Sequence, residues 1–480
     1  MAKKKRKGFL TAFSIILILI FILGIVTHIL PEATFVGDEI VNGSGVVGAT
    51  LSEVLLSPIL GFENAIDVCI FILILGGFLG VVAKTEALET GIKVLVRKLK
   101  GKELVLIPLL MFIFSIGGTT YGMLEETVGF YALLSATMVL AGMDTLVASS
   151  IVLLGAGSGV LGSTINPFAV GAAVSALPEG IAVNQGLIIG IGVALWLTTY
   201  LISTLFVMNY AKKVIKKKGS TFLSLRERKN MELEYGSADT TSLDKAKLTG
   251  KQKLTLWLFA LTFVIMIIGF IPWGEFNITF FDNFTGWLTG SSLGNWWFYE
   301  AALWFLIMAV VIGLVNRQGE KGFVDTFIDG ADDMVGVILI VAIARGASVL
   351  MSQTYLDNYI IYNCAEALKN VPSTVFMPLN YLLHVVLSIL VPSSSGLATL
   401  SSPIIGPLAY QLGYSVEATV MSLVAANGLV NLITPTCGAI MGGLALARVE
   451  YSTWFRWALK VVITIAIVNI IILALAAQIF

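Results

Sequence analysis

Charge is scarce in this sequence. Asp, Glu, Lys and Arg make up 12% of its 480 residues while hydrophobic residues make up 57%, against a charged share of about 25% in soluble domains. That balance excludes a soluble globular protein and gives an all-α polytopic membrane protein, since apolar runs of roughly 20 residues cross a hydrocarbon core as helices. Alternating strand-like segments are lacking too, which disfavours a porin-type barrel. Cysteine is rare: Cys69, Cys364 and Cys437 lie in separate apolar segments without ligand spacing. They read as buried packing residues, and no metal or cofactor is expected. Acids and bases balance to a net charge of zero, which says nothing about partners; a small-molecule substrate and membrane lipid are expected, and nucleic acid is not.

The position of the few charges is informative. Two stretches, Pro31 to Glu63 and Gly274 to Glu300, contain no Lys or Arg at all, and so belong outside the cell membrane. Trp287, Trp296 and Trp297 in the second fit an aromatic interfacial belt. Basic residues gather instead in "MAKKKRKG", before an apolar run from Phe9 to Leu30 that is too long for a signal peptide and lacks a clean cleavage site. The N-terminus is therefore expected in the cytoplasm, followed by a retained span. The same rule puts the long hydrophilic stretch 212–253 in the cytoplasm, as a plain solvated linker.

Two regions echo each other. "GTTYG", "AGMDTLVAS" and "GSTINPFAVG" recur as "SSSG", "LGYSVEATV" and "NLITPTCGAIMG", so that Gly122, Gly142 and Pro167 fall against Gly396, Gly413 and Pro435 at an offset of about 270 residues. Upstream of each lies an apolar span and an amphipathic arm too short to cross. The first arm carries Lys84, Lys93, Arg97, Lys98, Lys100 and Lys102, the second only Lys369. Positive charge puts the first arm inside and the second outside, so the halves are inverted, a device of secondary transporters. The organisation is then a first span and outer loop (1–63), a first repeat (64–211), the linker (212–253), connecting spans (254–322) and a second repeat (323–480).

Non-helical backbone at bilayer depth must line a cavity or be buried in protein. Four interruptions are expected. "GGTTYG" and "VPSSSG" read as re-entrant hairpin tips. "STIN-P" and "LIT-P" read as new half-helices, with Asn166 and Thr434 as N-caps and Pro167 and Pro435 at the first helical position. Helix starts converging from two inverted halves would aim free N–H groups at a carboxylate. Thr119 and Thr120 with Ser163 and Asn166 from one half, and Ser394 and Ser395 with Asn427, Asn431 and Thr434 from the other, would bind the substrate. The plainer account is that small and hydroxyl residues help helices pack.

Glu125 and Glu126 stand side by side just after the first tip, where a carboxylate costs about 2.5 to 3.5 kcal/mol near the bilayer centre. Either they sit in the first turn of a helix or pair with the intramembrane Arg345, or one supplies the negative charge facing a cationic substrate group or carries a coupling proton. A site of both signs suits arginine, ornithine or lysine; an unpaired Arg345 facing the cavity would favour a dicarboxylate.

Three stretches, "TTYGMLEETVGFY", "PSSSGLATLSSPIIGPLA" and "NLITPTCGAIMGGLALARVEYSTWFRW", resemble the YfcC-type transporters grouped with the anaerobic dicarboxylate carriers in the ion transporter superfamily. Nearly the whole chain outside the central linker shares the likeness. Some members, the ArcD-type proteins, exchange arginine for ornithine. The resemblance implies a scaffold plus a transport core, an elevator motion, a homodimer, and tips at Thr119 to Gly122 and Ser393 to Gly396 that touch substrate. Sodium-coupled dicarboxylate relatives carry Ser-Asn-Thr at both tips; Gly-Gly-Thr-Thr and Ser-Ser-Ser stand here instead, which speaks against sodium and leaves the coupling ion open. The expected function is exchange of basic amino acids, the alternative a proton- or sodium-coupled carrier of carboxylates, neutral amino acids or small peptides. An intramembrane hydrolase using Ser393, Ser394 or Ser395 would need His384 as base, and that residue is poorly placed in sequence.

Overall fold

A computed structural model describes residues 12–37, 39–98, 102–178, 180–217, 220–236, 247–271, 273–276, 278–369 and 371–479. Apart from one short ribbon, Phe35–Val36 (β1) paired antiparallel with Glu39–Ile40 (β2), these residues form helices. The first half contains α1 (Ala12–Thr27), α2 (Leu51–Asn64), α3 (Ile66–Ala83), α4 (Ala87–Lys98), α5 (Leu106–Tyr121), α6 (Phe130–Leu140), α7 (Thr145–Leu161), α8 (Ala172–Ser175) and α9 (Gln185–Lys216). Then follow α10 (Leu225–Tyr235), α11 (Gly250–Phe270), α12 (Gly286–Thr289) and α13 (Phe298–Val315). The last part holds α14 (Glu320–Gln353), α15 (Leu356–Leu368), α16 (Ser373–Leu390), α17 (Ser394–Gln411), α18 (Val416–Val430), α19 (Gly438–Leu446) and α20 (Tyr451–Ile479). Among the described residues seven helices are long and apolar enough to cross a membrane.

Small residues set the packing. Gly76 and Gly80, four apart on α3, lie against Gly330 of α14 so closely that a Cβ on Gly76 would come within 2.5 Å of the Gly330 carbonyl oxygen. On α2, Gly61 meets the Ala342 carbonyl and Gly346 of α14 in the same way, at 2.4 Å. Without a hydrophobic driving force between helices in lipid, such close approach supplies the dispersion contact that holds them. The resulting wall of α2, α3 and α14, with α13 against α3, faces the hairpins and broken helices.

The two halves repeat local detail as well as sequence. Gly142 and Gly413 end α6 and α17 with φ of +79° and +72°, a left-handed conformation that glycine adopts without strain. The Met143 amide then donates to Met138 O at 2.8 Å, and the Tyr414 amide to Ala409 O at 2.8 Å. Asp144 accepts from the Val147 amide to cap α7, and Ser415 from the Ala418 amide to cap α18. Where α7 and α18 cross, Leu432 fills the notch at Gly157 and Leu161 lies against Gly428.

Two expectations need correction. The outer segment Pro31 to Glu63 is not only loop, for it contains α2. Its start is a capping box: the Glu53 amide donates to Thr50 Oγ1 at 3.2 Å and the Thr50 amide to the Glu53 carboxylate at 2.7 Å. The central stretch is likewise no plain solvated linker. α9 runs on to Lys216, and α10 is docked through Glu227, which is only 1% exposed. Its carboxylate accepts from the Ser224 amide at 2.7 Å, the Glu450 amide at 2.8 Å and the Thr453 hydroxyl at 3.1 Å, so it caps both α10 and the start of α20. Nearby, Tyr235 donates to Leu446 O at 2.7 Å and Arg448 pairs with Glu234 at 3.2 Å. Thr221 and Tyr210 both donate to Asp144 at 2.6 Å. Basic residues along the segment hid the one acid that buries.

Glu227→Ala leaves three donors without their charged acceptor, and hydrogen bonds to charged groups are each worth about 1.5 to 3 kcal/mol. A clear drop in the thermal midpoint of the detergent-purified protein is expected, with Glu227→Gln recovering part of it. An unchanged midpoint for the alanine variant would rule out the docked segment.

Candidate functional site

The first interruption is narrower than "GGTTYG" suggests. α5 continues through Gly117, Gly118, Thr119 and Thr120 and stops at Tyr121, because the glycines serve close packing rather than a turn, Gly118 against α7 and Gly117 against Met123. Gly122 makes the turn, with φ of +81°, and a Cβ there would come within 2.8 Å of the Asn166 side chain. Thr119 is buried behind the tip: its hydroxyl donates to Gly162 O at 2.8 Å and its carbonyl accepts from the Thr164 amide at 2.9 Å. Thr120 turns its hydroxyl back to Ile116 O at 2.7 Å. Glu125 and Glu126 open a 3₁₀ turn, Glu125–Gly129, that leads into α6; their side chains lie outside the described residues.

At the second interruption α7 ends at Leu161 and Asn166 behaves as expected. Its Oδ1 accepts from the Phe168 amide at 2.9 Å while its Nδ2 donates to Ser163 Oγ at 2.9 Å. The new segment opens as a π-helical turn, Pro167–Gly171, because the Gly171 amide reaches the Asn166 carbonyl.

The second tip is organised by Asn427. Ser393 caps α17 by accepting from the Gly396 amide at 3.2 Å. Ser394 donates to Asn427 Oδ1 at 2.7 Å, and Asn431 Nδ2 donates to the same oxygen at 3.0 Å and to Pro392 O at 3.1 Å. The Pro392 carbonyl can only accept, which fixes the orientation of the Asn431 amide. Asn431 Oδ1 is then left buried without a hydrogen-bond partner among the described residues.

The fourth interruption departs from expectation. Thr434 does not cap a helix and Pro435 does not start one; α19 begins at Gly438 with Cys437 at the cap position and no side-chain cap bond. Between them runs a turn in which Thr434 and Thr436 share a hydroxyl contact at 2.7 Å. The cause is steric: a Cβ on Gly438 would come within 2.8 Å of the Val341 Cα, so the chain presses on α14 where only glycine fits.

These pieces enclose one cavity of about 400 Å³, within the size range of small-molecule sites. Of the sequence-predicted residues, Asn166, Ser394, Ser395 and Asn431 line it; Thr119, Thr120, Ser163, Asn427 and Thr434 are not among its lining residues. The opposite wall was largely missed. Val341, Arg345 and Ser348 project from α14 at helical spacing, while Asn64 ends α2 and Asp67 and Val68 open α3, with Trp297 and Phe298 beside them. Arg345 has no carboxylate within ion-pair distance among the described residues. Asp67 accepts from the Trp297 indole N–H at 2.8 Å and from the Val68 amide at 2.8 Å. Phe168 packs on Trp297 with ring centroids 4.3 Å apart. An acid inside the apolar run that begins at Ile66 was the available sequence signal; Trp297 was instead assigned to the interfacial belt.

His384 is buried in α16, where its ring nitrogens meet Asn380 O and Ser401 Oγ, each at 2.8 Å. It is thus engaged away from Ser393, Ser394 and Ser395. No cluster of metal-ligating side chains occurs among the described residues.

A family model described as DcuC, C4-dicarboxylate anaerobic carrier, matches residues 9–478. An uncharacterized protein of Haemophilus influenzae is 29% identical over 438 residues, covering 90% of this chain and 79% of the relative. A protein of Escherichia coli K12, provisionally named basic amino acid antiporter YfcC, is 26% identical over 408 residues, 82% of this chain and 74% of the relative. Among solved structures, the Alcanivorax borkumensis YdaH transporter aligns at 16% identity with a TM-score of 0.46, covering 97% of both chains. Neisseria gonorrhoeae MtrF, titled as illuminating a class of antimetabolite efflux pumps, aligns at 16% identity and a TM-score of 0.45, covering 98% of this chain and 95% of the other.

Proposed function

The chain belongs to the DcuC family of C4-dicarboxylate anaerobic carriers and is a multi-pass membrane transporter, and we propose that its cargo is a basic amino acid, exchanged across the cell membrane for another. The observation that carries this reading is Asn431, a cavity-lining residue whose Oδ1 has no hydrogen-bond partner among the described residues, in a cavity that Arg345 also lines. An amino acid satisfies both: its ammonium donates to Asn431, and its carboxylate meets Arg345 and the N–H groups at the starts of α17 and α19. A dicarboxylate brings acceptors only and leaves Asn431 unmatched. The provisional name of the Escherichia coli relative points the same way.

The second reading, a dicarboxylate, has its own support in the family description and in the lack of an ion-pair partner for Arg345 among the described residues. In both readings the halves act as inverted repeats. The paired hairpins α5–α6 and α16–α17, with the broken segments around Asn166 and Asn431, form a core that moves against the wall of α2, α3, α13 and α14. The matched crossing of α7 and α18 supports that symmetry. The N-terminus lies in the cytoplasm and the working unit is a homodimer.

Liposomes containing the purified protein and loaded with ornithine are expected to take up labelled arginine, and empty vesicles are not. Uptake of labelled succinate, with no arginine exchange, would overturn the amino acid reading in favour of the second.

A further inference from the structure

The cavity wall formed by the start of α3 has chemistry of its own, distinct from the donors around Arg345. Asp67 lies in the first turn of α3, where the helix dipole alone would account for an acid. Its further features are not explained by that. The residue lines the cavity. The Trp297 indole N–H bonds one of its oxygens, which fixes the ring against it. Trp297 keeps 43% of its surface exposed although Phe168 packs on it, and Phe298 crosses it edge-on at 5.9 Å.

Each carboxylate oxygen of Asp67 has used one lone pair and retains another. A fixed carboxylate beside a partly exposed indole is a pairing that recognises a planar cation, through charge on one side and the ring quadrupole on the other. Arg345 cannot fill that role for Asp67, because no ion pair joins them.

Resting on the basic amino acid reading above, we infer that Asp67 and Trp297 form the subsite that holds the distal guanidinium of the substrate, so Asp67 supplies the counter-charge the sequence had assigned to Glu125 or Glu126. The two ends of the ligand are then read by different walls. The α-carboxylate is held by Arg345 and the helix starts, and the side-chain cation by α3 and the Trp297 junction. Phe168 belongs to the broken segment and Trp297 to the wall, so their contact also ties occupancy of this subsite to the relative position of the two parts.

Arginine and citrulline separate this subsite from the rest, since they share every group except the guanidinium, which citrulline replaces by a neutral urea. The test uses the full chain in ornithine-loaded liposomes and follows labelled arginine and labelled citrulline. The wild type is expected to prefer arginine, and Asp67→Asn to lower arginine exchange about 100-fold while citrulline changes by less than about threefold, as loss of a charge-assisted contact to the guanidinium requires. Asp67→Glu should restore part of the preference. If wild-type protein exchanges arginine and Asp67→Asn keeps the preference for it over citrulline, or loses both substrates together, the subsite is wrong although the transport reading stands. If wild-type protein exchanges neither amino acid, the reading and the subsite both fall.

Discussion

Gly159→Leu is expected to leave no correctly folded protein. A Cβ at this position would lie 2.0 Å from the Ser115 carbonyl oxygen and 2.6 Å from the Thr119 amide. The reciprocal contact is as close: a Cβ on Gly118 would come within 2.1 Å of Ala156 O. Both obstacles are backbone, so no side-chain rotation relieves them, and α5 must part from α7. That separation breaks the bond from Thr119 to Gly162 O and the bond from the Thr164 amide to Thr119 O. It also draws Gly122 away from Asn166, which opens the cavity at its first tip. Overpacking a well-ordered core costs about 1 to 3 kcal/mol when side chains can adjust, and more here because they cannot. Gly159→Ala should therefore already lower the thermal midpoint and the monodisperse yield in detergent. Gly190→Ala provides the comparison, for nothing lies within 4 Å of its would-be Cβ and alanine favours a helix by about 1 kcal/mol. Equal midpoints for the two alanine variants would show that α5 and α7 do not cross as described.

Much of this architecture was legible because membrane helices advertise themselves. Apolar runs located the membrane-crossing helices, although α14 begins at Glu320, in a charged stretch that the apolar pattern does not cover, and the doubled "STIN-P" and "LIT-P" grammar located both broken segments. Polar residues in an apolar context identified Asn166, Ser394, Ser395 and Asn431, which do line the cavity. Thr119 and Thr120 misled for a physical reason: a hydroxyl in a helix can bond to the preceding turn, and both do so or stitch neighbouring segments. Arg345 was weighed as a cavity residue, but Asp67 and Trp297 escaped because their sharing a wall with it depends on the packing of α3 against α14. That packing is set by Gly76 and Gly80 on one side and by Gly330, far along the chain from them, on the other. Sequence can show that each is unusual for its surroundings; it cannot show that they share a wall. The docked α10 was missed for a similar reason. Glu227 is one acid in a basic stretch, and its partners Glu450 and Thr453 lie more than 200 residues away.

Arg345→Gln is expected to abolish transport while leaving the protein as stable as before, or more so. The residue sits in the interior of α14, half-buried, with no carboxylate paired to it among the described residues. A guanidinium held at bilayer depth costs about 2.5 to 3.5 kcal/mol on insertion scales, so its removal lifts a burden on the folded state. That sign distinguishes it from a structural arginine, whose loss would strand a buried carboxylate and lower the thermal midpoint by the equivalent of about 3 to 5 kcal/mol. On the proposed function, a substrate carboxylate is the group that meets this cost. Since an amino acid and a dicarboxylate both carry one, uptake of either should fall about 100-fold, the loss of a charge-assisted pair in a desolvated site. Arg345→Lys keeps the charge but not the planar fork, and should recover a minor part of the rate with weaker apparent affinity. Initial uptake rates in liposomes, read beside the melting midpoint in detergent, decide the matter. Transport near the wild-type rate, or a midpoint that collapses with the charge, would show that Arg345 serves the fold instead of the cargo.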